Sequence, residues 1–225
     1  MFYQGDCVTV MKTLPSNSIN LLYSNPPFNT TKHKWDASVD WKAFFNEADR
    51  LLKPGGTVIL HCAVPFNYTL IQARAPKYSW YWDKGHTTCP FIAKIQPLRQ
   101  VEEILVWYKG KPTYYPQRTG DEERTFTSDG RTGYYGNTVK QQKQTVRGKY
   151  QTHLINMKRR IEGFSTRPTE LIQLIYDSYS VEGDTVLDPF CNDALSSTCC
   201  PGRNWIGIDL NHTPKSFKQF KDLYI

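Results

Sequence analysis

The sequence lacks long apolar runs, metal-type cysteine spacing, internal repeats and low-complexity tracts. No apolar stretch is long enough to span a bilayer, and the opening MFYQGDCVTV has neither the basic start nor the apolar middle of a signal peptide. The six cysteines form no CxxC pair. Cys199 and Cys200, with His212 nearby, could bind a metal, but packing of reduced thiols is favoured and no metal is expected. We therefore expect a cytoplasmic protein that binds no membrane.

The positive charge of the chain is concentrated in one block. The 225 residues, 39% hydrophobic and 22% charged, suffice for one substantial domain with an inserted lobe. Of the net charge of +7, residues 109–160 carry +8, from 12 basic and 4 acidic side chains, and the rest carries −1. Interleaved aromatic residues, which can stack on bases, favour nucleic-acid binding over the alternative of a solvated, partly disordered loop. The candidate contacts are Lys111, Arg118, Arg131, Lys140, Lys143, Arg147 and Lys149.

Hydrophobic periodicity predicts alternating strands and helices, and hence an α/β sheet with helices on both faces. Asp40 is a predicted cap for a helix over Trp41–Leu52 that Gly55 and Gly56 end, and Pro168 begins a helix that runs to Ser180. A shorter helix is predicted over Phe66–Ala73. The predicted strands are Ile19–Ser24, Thr57–Cys62, Tyr78–Asp83, Glu102–Tyr108, Thr185–Asp188 and Trp205–Asp209.

Three predicted strands end in polar residues that carry potential chemistry. These ends are Ser24-Asn25-Pro26-Pro27-Phe28, Asp188-Pro189-Phe190 and Asp209. In open α/β sheets, ligands bind beyond the carboxyl ends of the strands, so parallel neighbours would bring these ends into one crevice. An acidic residue at a strand end often binds ribose hydroxyls, so Asp209 suggests an adenosine-like cofactor, although it could be an ordinary loop-starting aspartate.

Four blocks follow one another along the chain: QGDCVTVMKTLPSNSINLLYSNPPF, RLLKPGGTVIL, STRPTELIQLIYDSY, and VLDPFCNDAL followed by NWIGIDLN. In this order they resemble the β-class DNA amino-methyltransferases that use S-adenosylmethionine. The resemblance implies a Rossmann-like, doubly wound, mostly parallel sheet that is circularly permuted and carries an inserted recognition lobe. It implies a catalytic part over 1–108, a target-recognition insert over 109–160 and a cofactor-binding part over 161–225. Duplex DNA is the implied partner, and a homodimer is possible.

The resemblance also implies roles for the residues of the corner after the first long strand. Asn25 and the Pro26 carbonyl would accept hydrogen bonds from the amino group of a flipped-out base, in a frame that Pro27 stiffens and beside the ring of Phe28. Asp209 would bind the ribose and Asp6 the adenine amino group of S-adenosylmethionine. Its methionine part would lie near the cofactor residues Asp188, Pro189, Phe190, Asn192 and Ala194, with its carboxylate paired with Arg167 unless that arginine is a surface residue.

The loop Cys191-Asn192-Asp193-Ala194 departs from the family's glycine-rich pattern. Asn192 can be left-handed at tolerable cost, but Ala194 cannot do so cheaply, and the helix that follows should have only a turn or two. Asn25 directly before the two prolines favours adenine N6 as the methylated atom. The alternatives are a cytosine-N4 enzyme, an RNA adenine methyltransferase, or an inactive DNA-binding relative. The compact chain resembles solitary phage- or virus-encoded enzymes, which would act in a bacterial or infected host cell, in a restriction-modification context where a partner exists.

Overall fold

The computed structural model describes residues 1–31, 36, 38–88, 90–127, 143–158 and 167–210 of the chain. These residues form two compact units, Met1–Tyr115 with His153–Ile225, and Pro116–Thr152. The second unit lies inside the insert that the sequence predicts over 109–160, but its bounds are narrower because residues 109–115 and 153–158 belong to the first unit. None of the described helices is long and apolar enough to cross a membrane.

The first unit is built on a mixed sheet of eight strands in the order β1-β10-β9-β2-β3-β5-β4-β8. Every neighbouring pair is parallel except those made by β5, which is antiparallel to both of its neighbours. This Rossmann-like, mostly parallel sheet confirms the predicted fold class. Its strands are β1 (Phe2–Gln4), β2 (Ile19–Ser24), β3 (Leu52–Cys62), β4 (Tyr78–Thr88), β5 (Arg99–Tyr108), β8 (Leu154–Asn156), β9 (Thr185–Asp188) and β10 (Asn204–Asp209).

Helices cover both faces of this sheet and divide the core in two. One cluster packs α1 and α2 against the sheet around Phe44, Leu51 and Trp107, and the other packs α4 around Tyr23, Ile175 and Tyr176. Because both faces are covered, the central strand β2 is almost wholly buried. The helices are α1 (Cys7–Met11), α2 (Trp41–Leu51), α3 (Phe66–Ala73), α4 (Thr169–Tyr179) and α5 (Leu195–Thr198), with a 3₁₀ turn at Pro90–Ile92.

Local sequence signals explain how α2 begins but not how it ends. Asp40 caps the helix, since its side chain accepts a hydrogen bond from the Ala43 N–H at 3.0 Å. The helix ends at Leu51, one residue before the predicted end, but Gly55 and Gly56 do not terminate it, because β3 starts at Leu52, before the predicted Thr57, and runs through both glycines. Gly55 has a φ of 82°, a conformation that glycine adopts freely, and its backbone N–H bonds the Lys109 carbonyl at 2.9 Å, so it pairs with the segment after β5.

The described part of the second unit contains two antiparallel strands, which are called the β6–β7 hairpin here. The strands β6 (Arg118–Thr127) and β7 (Lys143–Tyr150) pair from Arg118 opposite Tyr150 to Thr127 opposite Lys143. Sequence reasoning missed this hairpin because its strands are polar on both faces and lack the apolar alternation that marks a strand.

Candidate functional site

The predicted catalytic corner follows β2 and lies next to the end of β9. The hydroxyl of Ser24 donates to Oδ1 of Asp188 at 2.5 Å, and Leu22 is in register with Leu187 on the neighbouring parallel strand. The corner and the carboxylate that ends β9 therefore share one edge of the sheet, as the strand-end argument predicts.

Asn25 carries an acceptor that nothing in the described structure uses. Its side-chain oxygen Oδ1 is buried and has no hydrogen-bond partner among the described residues. An unsatisfied buried polar atom costs about 1–3 kcal/mol, and most native buried groups avoid that cost. Pro26 beside it is buried, and Pro27 is half-buried. The corner thus holds an acceptor in a stiff frame, ready for a donor from outside the chain.

Aromatic rings join this corner to the residues after β9. Phe28 stacks on Phe66 with ring centroids 5.0 Å apart, and Trp41 lies 5.4 Å from Phe66 and 5.9 Å from Phe190. One face of Phe28 is therefore already covered by protein. An open cleft of about 190 Å³ lies alongside, lined by Pro27, Phe28, Asn29, Thr30, Ser38, Val39, Trp41, Pro65, Phe66 and Thr69.

Asp36 holds the chain that follows the corner, a role that the sequence did not reveal. Its buried carboxylate accepts three successive backbone N–H groups, from Asn29 at 2.5 Å, Thr30 at 2.7 Å and Thr31 at 2.6 Å. Burial raises the pKa of Asp36, but these hydrogen bonds outweigh it and lower the pKa overall. The carboxylate therefore stays ionised and fixes the loop that lines the cleft.

Asp188 acts as a brace between β2 and β9. Ser24 and Ser196 each donate a hydroxyl to one of its oxygens, both at 2.5 Å, and the Phe190 N–H lies 3.3 Å from Oδ1. Burial raises the pKa of Asp188 to about 6, although these hydrogen bonds oppose the rise. Because both oxygens are engaged inside the protein, contact between Asp188 and the methionine part of a cofactor stays a prediction.

The other predicted cofactor residues converge at the end of β10. The Gly5 N–H bonds the Asp209 carbonyl at 2.9 Å, which brings Asp6 next to the end of β10, and the Asn192 N–H bonds the Asp209 carboxylate at 3.1 Å. Asp6 caps α1 by accepting from the backbone and the hydroxyl of Thr9. The strand ends and the DPF loop thus share one edge, as predicted, while the individual cofactor contacts stay predictions.

The loop after β9 follows a left-handed path despite its lack of glycine. Asn192 has a φ of 46° and Ala194 a φ of 59°. Ala194 therefore adopts the conformation that the sequence marks as costly for alanine. Left-handed backbone costs a non-glycine residue about 1–2 kcal/mol, and the complete burial of the Ala194 methyl group among Cys191 and its neighbours offsets part of that cost. As predicted, the following helix α5 is short, with four residues.

Arg167 belongs to a buried polar chain behind the corner. Its guanidinium lies 2.6 Å from Oε1 of Glu102, which also lies 2.7 Å from Nδ1 of His61, and Nε2 of His61 lies 3.1 Å from the hydroxyl of Tyr23. With 8% of its surface exposed, Arg167 is not the surface arginine that the sequence left open. Its pairing with a methionine carboxylate stays a prediction, since Glu102 already binds it.

The protonation states of the groups in this buried polar network follow from burial and charge. Burial raises the pKa of Glu102, but the positive charge of Arg167 outweighs it and brings the pKa to about 2, whereas burial lowers the pKa of His61. An ionised carboxylate only accepts, so Nδ1 of His61 donates to Glu102 and Nε2 accepts from Tyr23. The sequence signal for this buried network was the presence of polar residues in the apolar runs TVILHC and EEILVWY.

The predicted nucleic-acid contacts divide between the two units. Arg118, Lys143, Arg147 and Lys149 are exposed on the β6–β7 hairpin, where the Arg118 guanidinium lies 3.9 Å from the ring centre of Tyr150. Lys111 instead belongs to the first unit and follows the end of β5. Because β5 is antiparallel to β3, this end lies at the edge opposite Asn25, and contact of Lys111 with DNA stays a prediction. Arg131 and Lys140 lie outside the described residues.

Metal binding has no support from the described part of the chain. Within those ranges no group of three or more His, Cys, Asp or Glu side chains is placed to hold an ion. Cys199 and Cys200 are buried thiols outside any disulfide, and they donate hydrogen bonds to the carbonyls of Thr169 and Ser196, respectively. His212 lies outside the described residues.

Comparisons with known proteins agree with this geometry. The chain is 26% identical over 93% of its length to Type II methyltransferase M.BamHI of Bacillus amyloliquefaciens, of which it spans 54%. It is 25% identical over 92% of its length to DNA adenine methyltransferase YhdJ of Escherichia coli K12, of which it spans 77%. Thus the chain spans only about half of M.BamHI.

Solved structures show the same fold. The M1.HpyAVI–SAM complex aligns with a TM-score of 0.64 at 17% identity, covering 99% of this chain and 97% of that one. The cytosine-N4-specific PvuII DNA methyltransferase aligns with a TM-score of 0.64 at 16% identity, covering 93% and 81%. The family model N6_N4_Mtase, described as DNA methylase, matches residues 19–217. This match spans most of the chain, including the corner at Asn25, the brace at Asp188 and the end of β10, so the chain belongs to the DNA methylase family.

Proposed function

We propose that this chain transfers a methyl group from S-adenosylmethionine to the exocyclic N6 of an adenine flipped out of duplex DNA. Membership of the DNA methylase family supports methyl transfer to a base amino group. The observation that carries the choice of residues is the buried, unpartnered Oδ1 of Asn25 at the end of β2. A base amino group is the donor that this oxygen lacks.

The chemistry follows from what the amino group of adenine needs. Its lone pair is delocalised into the ring, so the nitrogen is a weak nucleophile. Two acceptors, Oδ1 of Asn25 and the carbonyl of Pro26, would hold its two N–H groups and direct the lone pair outward. The rigid Pro26-Pro27 frame keeps those acceptors in place without losing freedom on binding, and the excess proton leaves to water after transfer.

The residues at the ends of β9 and β10 suit an adenosine-based cofactor. S-adenosylmethionine would supply a methyl group on a positively charged sulfur. Asp209 is already oriented by the Asn192 N–H, which suits a carboxylate that binds ribose hydroxyls, and Asp6 lies next to it. The hydrogen bond from Ser24 to Asp188 joins the end of β2 to the end of β9, so the two acceptors of Asn25 and Pro26 keep a fixed separation from the cofactor residues.

Adenine is favoured over cytosine because an amide, and not a serine, directly precedes the two prolines. Ser24 cannot replace Asn25, since it is fully buried and its hydroxyl donates to Asp188. The relatives include both an adenine enzyme and a cytosine-N4 enzyme, so cytosine N4 is the second candidate. Circular permutation, a phage-like origin and a homodimer stay predictions.

We further propose that the β6–β7 hairpin contacts DNA phosphates. Its described exposed basic residues are Arg118, Arg124, Lys143, Arg147 and Lys149, and salt-dependent binding is the property expected of such a set. Arg147 also lies 3.4 Å from Asp121, and this exposed pair would compete only weakly with phosphate.

Transfer of a labelled methyl group tests this function. The purified chain is incubated with labelled S-adenosylmethionine and unmethylated duplex DNA or RNA, and modified-base sequencing then identifies base and context. We expect N6-methyladenine in DNA. Asn25→Ala should lower kcat by about a hundredfold or more, since a lost transition-state acceptor typically costs that much. Asn46→Ala, at an exposed position on α2, is the matched control.

Each alternative gives a different result in this assay. Detection of N4-methylcytosine would show that the target base is cytosine. Preferential labelling of RNA would show that RNA, and not DNA, is the substrate. DNA binding without cofactor binding by calorimetry would identify an inactive relative. Equal rates for Asn25→Ala and Asn46→Ala would refute the role of Asn25 as an acceptor for the base amino group, while methyl transfer itself would stand.

A further inference from the structure

An apolar tip stands out on the surface of the first unit. In the loop between β4 and β5, Phe91 is 95% exposed and Ile95 is 81% exposed, more than any other large hydrophobic side chain that the structure describes. Single exposed apolar residues are common, but two large ones on the same short loop indicate a contact surface.

This tip is ordered by its own backbone. The Ala93 N–H bonds the Pro90 carbonyl at 3.1 Å, and the N–H groups of Ile95 and Gln96 both bond the Ile92 carbonyl, at 2.9 and 3.0 Å. Successive turns therefore present the two side chains from a preformed support. A preformed contact loses little conformational entropy on binding.

The strand directions place the tip at the edge of the sheet that carries the catalytic corner. Glu103 of β5 pairs with Cys62, the last residue of β3, so the four residues from Arg99 to Glu102 extend about 13 Å beyond β3 at ~3.3 Å each. Thr88, the end of β4, pairs with Arg99 and leads into the tip. In the sheet order, β5 and β4 are two and three strands from β2, or about 10–15 Å from the strand that Asn25 follows.

The charge around the tip identifies the class of partner. From Lys84 to Arg99 the sequence contains three basic residues and no acidic one, and Lys94 and Arg99 are exposed. An apolar tip with a basic rim suits a polyanion that also offers apolar stacked faces, which describes duplex DNA.

We propose that Phe91 and Ile95 form a wedge that enters the duplex next to the target base and fills the space that the flipped base leaves. This inference rests on the proposed function, since it presumes duplex DNA as the substrate. Flipping costs unstacking energy, and apolar side chains that insert between base steps offset that cost. The wedge should therefore matter for a paired target and much less where no partner base holds the target in the stack.

The test compares the double variant Phe91→Ala with Ile95→Ala against the wild-type protein. Oligonucleotide duplexes carry the target found by modified-base sequencing, with the target base either paired or opposite an abasic position. A free-energy change of about 1.4 kcal/mol corresponds to a factor of ten, and unstacking a base step costs a few kcal/mol. The double variant should therefore show a kcat/KM on the paired duplex that is about tenfold to a hundredfold lower. On the abasic duplex the fall should be less than about threefold on the same reasoning.

Two controls make the result decisive. Val181→Ala alters another exposed apolar residue, between α4 and β9 at the opposite edge of the sheet, and should leave both rates unchanged. Calorimetry with S-adenosylmethionine should give the same Kd for the double variant and the wild type. Because both replaced side chains are almost fully exposed, the fold should be retained, which circular dichroism checks.

Several outcomes would overturn the wedge. Equal losses on the two duplexes would make the tip a general DNA contact, and no loss would show that it does not act. A wild-type dimer that the double substitution converts to a monomer in sedimentation would make the tip a self-association surface. No methyl transfer by the wild type would refute the proposed function itself, and the wedge with it.

Discussion

Replacing Asp188 with asparagine should remove a pH dependence of stability that the fold itself creates. Asp188 is 4% exposed, and burial raises its pKa from the ordinary value of 3.8 to about 6. The folded protein therefore holds this proton more tightly than the unfolded chain does. The group contributes stability that is fully present below the unfolded pKa and is lost as the pH rises through 6.

The size of the effect follows from the two pKa values. At pH 4.5 the unfolded carboxyl is mostly ionised while the folded one is mostly protonated, and by pH 7.5 both are ionised. Linkage then predicts that the free energy of unfolding of the wild type falls by about 2 kcal/mol across this range because of Asp188 alone. Asp188→Asn keeps the side-chain shape beside Ser24 and Ser196 but cannot titrate.

Equilibrium unfolding in guanidinium chloride, followed by circular dichroism at pH 4.5, 5.5, 6.5 and 7.5, measures this difference. The free energy of unfolding of the variant minus that of the wild type should rise by about 2 kcal/mol from the lowest to the highest pH. Other titrating groups cancel in the difference. Glu182→Gln, which removes one exposed charge, is the control.

A difference that is constant with pH would refute this account. It would mean that the hydroxyls of Ser24 and Ser196 stabilise the carboxylate enough to cancel its burial. A difference that falls with pH would mean that the two hydrogen bonds outweigh burial and lower the pKa of Asp188, as Arg167 does for Glu102.

Two further predictions concern stability. Glu102→Gln removes the carboxylate that Arg167 and His61 share and should lower the free energy of unfolding by about 3–5 kcal/mol, as breaking a buried ion pair does; a loss no larger than that of Glu182→Gln in the same unfolding assay would contradict it. Asn192, with a φ of 46°, should tolerate glycine within a few tenths of a kcal/mol but lose about 1 kcal/mol with alanine. Equal stabilities of these two variants would show that the loop relaxes to another conformation.

Local patterns predicted the parts of the fold that depend on local physics. The apolar run Ile19–Ser24, the Asp40 cap and the Pro168 helix start act through near neighbours, and each is present in the structure. The β6–β7 hairpin was missed because its pairing joins polar residues far apart in the chain. The start of β3 was misplaced, at Thr57 and not at Leu52, because the residues before Thr57 pair with the segment after β5, which local sequence signals do not record.

The sequence by itself determined which residues sit at the strand ends, because strands, caps and turns are encoded in short stretches. It therefore placed Asn25, Asp188 and Asp209 at the same edge of an α/β sheet. Only the tertiary structure decided what each side chain touches. In the structure, Asp188 accepts hydrogen bonds from two serine hydroxyls and Arg167 pairs with Glu102, whereas Oδ1 of Asn25 has no partner among the described residues. Hydrogen bonds between residues 65 to 164 positions apart depend on how the strands are ordered, and short-range sequence patterns carry no record of that order.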